Sequence, residues 1–166
     1  MSLILTGNSS TLTVDSTSGI TFPNGSGAQV APSKVLQVVQ GTYATQVSTT
    51  SSTFVSTPLT ASITPLFSTS KILVIATGNG GTTNTGGSVY YTLTRGITNL
   101  MGANGGNYLQ NPSSQNYTGV SLSYLDSPAT TSSTSYSVYF RSDSSVTAYF
   151  CLGSTTNTIT LMEIAV

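Results

Sequence analysis

The chain has 166 residues, four basic and four acidic side chains that cancel, one cysteine, no histidine and no tryptophan, and 58 of its residues are Ser or Thr. Four bases cannot neutralise a run of phosphates, which argues against a nucleic-acid groove. One Cys without His excludes a zinc site or a disulfide framework, and the longest wholly apolar run, Ile72–Ala76, is far too short for a helix that crosses a bilayer. Hydrophobic residues make up 37% and fall in patterned blocks, so an ordered core is expected rather than a low-complexity linker.

Residues 1–33 hold only very short apolar pieces, Leu3–Leu5, Thr11–Val14 and Ile20–Phe22, set between Asn-, Ser- and Gly-rich turns. Such pieces cannot form a core alone, so they are expected to make an extended arm, with Ala31-Pro32-Ser33 as its hinge. Met1–Gly7 has neither the basic start nor the apolar stretch of a secretory leader. Residues 34–166 then read as about nine strands and no helix. The expected strands are Lys34–Gln40, Thr42–Val47, Leu59–Thr64, Lys71–Thr77, Ser88–Arg95, Thr118–Leu125, Ser135–Ser142, Val146–Leu152 and Thr158–Val166. Thr, Val, Ile and Tyr dominate them, and turn residues separate them, the pattern of a sandwich or barrel.

Two of these strands are apolar on both faces. Ile72, Val74 and Ala76 oppose Leu73 and Ile75; Ile159, Leu161 and Ala165 oppose Met162, Ile164 and Val166. A strand with one solvated face alternates apolar and polar residues, so both faces here are expected to be covered. Leu73, Ile75, Leu161, Met162 and Ile164 are therefore the candidate oligomer interface. Cover by the N-terminal arm of the same chain is the competing reading.

Three stretches read as loops. Gly78–Gly87 is Gly-rich, but no Gly-Lys-Ser/Thr or helix follows, so it does not match a phosphate-binding loop. Asp126–Thr134 reads as a hairpin connection between 118–125 and 135–142. In that hairpin Asp126 and Asp143 sit at opposite ends, roughly 23 Å apart at strand rise, against the roughly 5–9.5 Å of a glycosidase pair. Ser33-Lys34 and Ser70-Lys71 are adjacent in extended chain and point to opposite faces. Cys151 lies between Phe150 and Leu152 without a cationic neighbour and reads as an inert thiol. No catalytic residue, metal ligand or cofactor is expected. The third loop, Asn99–Tyr117, gathers neutral amides and tyrosines: Asn104, Asn107, Tyr108, Gln110, Asn116 and Tyr117. These are the candidate receptor-contact residues, since aromatic faces and amides suit a carbohydrate or a neutral protein surface.

Four stretches carry a resemblance: Ser18–Gln29 (SGITFPNGSGAQ), Lys34–Thr57, Ser68–Thr77 (STSKILVIAT) and Thr158–Val166 (TITLMEIAV). Together they resemble the arm and the opening and closing strands of bacteriophage tail-fibre and virion-surface domains. The resemblance covers about a third of the chain and no catalytic motif. It implies an all-β, jelly-roll-like antiparallel β-sandwich with an extended N-terminal arm, similar to trimeric tumour-necrosis-factor and complement-head domains. The implied function is non-enzymatic: a homotrimeric tail-fibre or tail-tip component on the virion exterior. Its arm would bind other virion proteins, and its head would bind a host glycan or protein. Two alternatives stand beside it, a capsid decoration protein that stabilises the head and a secreted monomeric carbohydrate-binding module. Neither nucleic acid nor membrane insertion is expected.

Overall fold

The computed structural model describes residues 34–82, 86–110, 116–143 and 146–166. The chain divides into two units, Met1–Pro32 and Ser33–Val166. The expected arm and its hinge lie outside the described residues.

The described residues of the second unit form eleven strands and one short 3-10 turn, Leu152–Ser154: β1 (Val35–Tyr43), β2 (Val47–Thr49), β3 (Val55–Ile63), β4 (Lys71–Thr82), β5 (Ser88–Arg95), β6 (Thr98–Asn99), β7 (Asn107–Gln110), β8 (Asn116–Asp126), β9 (Thr134–Ser142), β10 (Ala148–Phe150) and β11 (Asn157–Ile164). The first sheet runs β1-β11-β4-β8, with β10 and β2 continuing past the end of β11. The second runs β3-β9-β5, with β7 and β6 beyond β5. Every pairing is antiparallel. Two four-stranded sheets in the orders β1-β11-β4-β8 and β3-β9-β5-β7 are the jelly-roll arrangement. The chain is thus an all-β antiparallel sandwich.

Alternation along each strand builds the core. The first sheet turns Ile72, Val74, Ala76, Val120, Leu122, Ile159 and Leu161 inward; the second turns Leu59, Ile63, Val89, Tyr91, Leu93, Tyr136, Val138 and Phe140 to meet them. At one end Tyr91, Phe140 and Phe150 form an aromatic cluster with ring centroids 6.0–6.4 Å apart. The Tyr91 hydroxyl donates to the Tyr149 carbonyl at 2.7 Å, from one sheet to the other. Burial pushes this hydroxyl's pKa well above its ordinary value.

Of the expected Gly-rich loop 78–87, the first half is strand: β4 continues through Gly78, Asn79, Gly80, Gly81 and Thr82, while residues 83–85 lie outside the described residues. A Cβ on Gly80 would run into the Tyr91 hydroxyl and the Tyr149 carbonyl, and one on Gly78 into the Asn157 side chain. Here glycine marks close approach inside a strand rather than a turn. The expected hairpin of 118–125 with 135–142 does not form. β8 pairs β4 in one sheet and β9 pairs β3 and β5 in the other, so residues 127–133 cross between sheets. The expected loop 99–117 contains β6 and β7, and β1 extends to Tyr43, leaving Val47–Thr49 as a separate strand. In β3, Pro58 falls where the register with β9 shifts, between Ser56 and Thr60. An edge strand with a bulge accommodates a residue that lacks the N–H.

Two buried acids tie elements together. Asp126, at the end of β8, accepts from Arg95 Nη1 at 3.0 and 2.8 Å and from the Tyr136 hydroxyl at 2.6 Å. Arg95 and Tyr136 belong to the opposite sheet, so this network clasps the sandwich at one end. Burial first, and then the Asp126 carboxylate, raise the Tyr136 pKa. Glu163 is fully buried on β11. It accepts from Gln37 Nε2 at 2.6 Å and from the Leu66 and Phe67 N–H groups at 2.8 and 3.3 Å. Burial alone would push this carboxyl up. These bonds outweigh burial and hold it below the ordinary range. The buried Ser70 hydroxyl acts in the same sense from beyond hydrogen-bond geometry. Glu163 therefore pins β1 and the 64–70 loop onto β11.

Two outcomes follow. Gly80→Ala should lower stability in urea unfolding by about 1–3 kcal/mol, because the new methyl has no space. Adding Tyr91→Phe, which removes one of the two obstructing oxygens, should restore part of that loss. Equal stability of Gly80→Ala and wild type would contradict the close approach. A carboxyl held below its unfolded value of about 4.3 contributes stability that is full above that pH and disappears as pH falls through the folded value. Thermal unfolding from pH 7 to pH 2 should therefore show a steeper acid decline in wild type than in Glu163→Gln. Parallel curves would remove Glu163 as a source of acid sensitivity.

Candidate functional site

The outer face of the second sheet carries a row of side chains across three strands. Tyr90 on β5 stands between Tyr108 on β7 and Arg141 on β9, its register partners on either side. The Tyr90 and Tyr108 rings lie 4.9 Å apart, tilted by 42°. The Arg141 guanidinium carbon sits 3.8 Å from the Tyr90 ring centroid and 5.4 Å from that of Phe54. The Ser88 hydroxyl donates to the Tyr108 hydroxyl at 3.2 Å. Tyr90, Tyr108 and Asn104 line an open groove of about 360 Å³.

The loop before β7 shapes this groove through Asn99. Its Oδ1 accepts from the Met101 N–H at 3.0 Å and from the Thr92 hydroxyl at 2.6 Å, and its Nδ2 donates to Gly102 O at 2.7 Å. Gly102 and Gly105 take positive φ of 82° and 69°, and Gly105 N–H closes the turn onto Gly102 O at 3.0 Å. Glycine suits such angles. At Gly105 a side chain would also strike the Tyr91 carbonyl. The Gly106 N–H then anchors the loop to Tyr91 O at 2.9 Å. Asn104 is thereby carried to the groove wall beside Tyr108.

The predicted contact residues divide. Asn104 and Tyr108 come together at the groove, with Tyr108 half exposed. Gln110 follows on the same side of β7, paired to Ser88, whereas Asn107 pairs with the core residue Tyr91 and is half-buried. Asn116 and Tyr117 belong to β8 in the other sheet, opposite Thr82 and Gly81. Tyr117 is exposed, and the Asn116 side chain lies outside the described residues. Sequence reasoning missed Tyr90, Arg141 and Phe54. Alternation in SVYYTLTR and SYSVYFRS sets Tyr90 and Arg141 on the outward faces, but only the β5–β9 register makes them neighbours.

A second feature lies on the outer face of the first sheet. Val38, Met162, Leu73 and Leu125 are successive register partners across β1, β11, β4 and β8. They form one apolar row over four strands. Its ends are open, Val38 being 56% exposed and Leu125 49%, while Leu73 and Met162 are half-buried. Ile164 beside Val35 and Lys71 flanks the row on one side, and Ile75 beside Thr160 and Ser123 on the other. Beyond these the face turns to hydroxyls, Thr42–Thr158–Thr77–Ser121. Leu73, Ile75, Met162 and Ile164 therefore share one outward face. Leu161 does not: it is fully buried in the core on the opposite side of β11. The expected interface joined both faces of one strand, and strand alternation separates them.

The other reactive groups are engaged within the fold. Asp126 lies by the Arg95 end of β5, whereas the Asp143 N–H bonds to Ser88 O at the other end. Seven strand residues, roughly 23 Å at strand rise, separate these ends of β5. Cys151 is fully buried at a positive φ of 63°. Its sulfur lies 3.3 Å from Tyr43 O and 3.2 Å from Thr155 O, and burial pushes its pKa up. Among the described residues no three His, Cys, Asp or Glu side chains gather in a way that could hold a metal ion. Compared with known proteins, the chain matches no family model and no curated protein.

Proposed function

We propose that this chain is a non-enzymatic structural module of a bacteriophage virion exterior. It assembles as a homotrimer through the outer face of the β1-β11-β4-β8 sheet and serves as a tail-fibre or tail-tip component in host attachment. The observation that carries the assembly reading is the apolar row Val38–Met162–Leu73–Leu125. A contiguous apolar strip across four strands is the kind of surface that marks an interaction site. Lys71 is the one charged residue beside it, so neutral self-contact meets little desolvation cost. The jelly-roll order supports the resemblance on which the virion part of the reading rests. Residues 1–33 are then the segment that binds other virion proteins. The engagement of Asp126, Glu163 and Cys151 inside the fold favours a structural role over a catalytic one. A capsid decoration role uses the same interface; hundreds of copies per particle rather than a handful would identify it.

Light scattering should give a native mass of about 51 kDa, that is 3 × 17.1 kDa. Leu73→Asp and Met162→Asp should each reduce it to a single chain with the core still folded, because a charge buried at an interface without a partner costs several kcal/mol. Leu161→Asp should unfold the chain instead, since that side chain is in the core. A wild-type mass of one chain, or assembly unchanged in both outer-face variants, would contradict the reading and favour the secreted monomeric binding module.

A further inference from the structure

We propose that the groove at Tyr90, Tyr108 and Asn104 binds a carboxylate-bearing pyranose, the acidic sugar of a glycan, with Arg141 as the anion-recognising group. The inference deepens the attachment part of the proposed function and depends on it only for the biological role. The groove lies on the second sheet, and the proposed trimer face lies on the first.

Three features of this face converge. First, the groove is lined by Tyr90, Tyr108 and Asn104; the Tyr90 ring is packed between Tyr108 at 4.9 Å and the Arg141 guanidinium at 3.8 Å, so the half-exposed Tyr108 supplies the open aromatic face beside one amide. An aromatic face packs against the C–H side of a sugar ring, and an amide offers a donor pair and an acceptor to adjacent hydroxyls. Second, the Arg141 guanidinium lies over the Tyr90 ring at 3.8 Å, next to the groove that Tyr90 lines, with Phe54 at 5.4 Å and one long contact from Nη1 to Ser142 O at 3.5 Å. Stacking occupies the faces of a guanidinium. Its N–H donors lie in the plane and point from the edge, in a fork that matches a carboxylate. A stacked arginine is thus pre-oriented for an in-plane anion. Third, this placement is specific within the chain. Of the four bases, Arg95 is committed to Asp126, Lys71 lies on the first sheet beside Ile164, and Lys34 immediately precedes β1 of that same sheet. Arg141 sits at the only register position that borders Tyr90 on β9. A groove of about 360 Å³ has room for one or two sugar rings.

Saturation-transfer NMR on the full chain tests this with glucuronate and N-acetylneuraminate as acidic probes and glucose and N-acetylglucosamine as neutral ones. Both acidic sugars should receive saturation, with affinity at least tenfold above the neutral pair. Arg141→Met should remove that preference, bringing the acidic sugars down to the level of the neutral pair. Asn104→Ala, at an exposed loop position where folding is not at stake, should weaken every probe that binds, and Tyr108→Ala should do the same. Arg141→Lys should restore only part of the preference, because an ammonium keeps the charge but not the planar fork. The titration is repeated on Leu73→Asp. Retained acidic-sugar binding by a dissociated chain supports the groove whatever becomes of the assembly reading. No transfer to either acidic sugar, equal binding of acidic and neutral sugars, or acidic binding unaffected by Arg141→Met and Asn104→Ala would each overturn the proposal.

Discussion

The two-sidedness of β4 is the constraint on which the rest of the structure depends. Its inward residues, Ile72, Val74 and Ala76, are fully buried and form the centre of one half of the core. Both edges are occupied, by β11 followed by β10 on one and by β8 on the other. Paired along nearly its whole length on both edges, β4 ties β8 to β11 and β10 within the first sheet. Its glycine-rich end extends that role: Gly78 and Gly80 let the Asn157 side chain and the Tyr91 hydroxyl approach where side chains would stand. The same alternation that buries Ile72 and Val74 must turn Leu73 and Ile75 outward. The core and the outer apolar face are thus two consequences of one run of five residues.

The sandwich separates two kinds of surface by placing them on opposite sheets. The outer face of the first is apolar in its middle rows and hydroxyl-bearing at its far end, where the Thr77 and Thr158 hydroxyls bond at 3.0 Å. The outer face of the second holds rings, an amide and a stacked guanidinium. An apolar strip suits a dry contact between like surfaces, whereas aromatic faces with a few polar groups suit a small ligand. Under the proposed reading, assembly through one sheet leaves the other free for a ligand. The clasp of Asp126 with Arg95 and Tyr136, and the Tyr91 bond to Tyr149, hold the two sheets together.

Strand content and facing were legible in the sequence because alternation is a local signal. Ser88–Arg95 matches β5 to the residue, and the inward and outward sets of Lys71–Thr77 and of Thr158–Val166 agree with the burial, except that β11 ends at Ile164 and Ala165 is not buried. Pairing was not legible. Two strands joined by a nine-residue connection read as a hairpin, and only the competition of whole sheets for β8 and β9 decides otherwise. Glycine misled in the same way: Gly78–Gly81 has turn composition, and the crowding that requires it comes from Tyr91, Tyr149 and Asn157, distant in sequence. Two of the six candidate contact residues fell at the groove because Asn104 lies in the turn that Asn99 organises and Tyr108 follows it on β7. Its ring and cation partners, Tyr90 and Arg141, are brought there by register between β5, β7 and β9 and left no local signature.

Under the proposed reading, the outer face of the β1-β11-β4-β8 sheet is covered by a second copy of the chain. Hydroxyl-radical footprinting read by mass spectrometry tests it residue by residue. In the native assembly Met162, Leu73 and Leu125 should be protected relative to the dissociated Ile75→Asp chain, while Tyr108 on the other sheet labels equally in both. Equal labelling of Met162 and Leu125 in the two forms would contradict the account and leave that face open to solvent or to another partner.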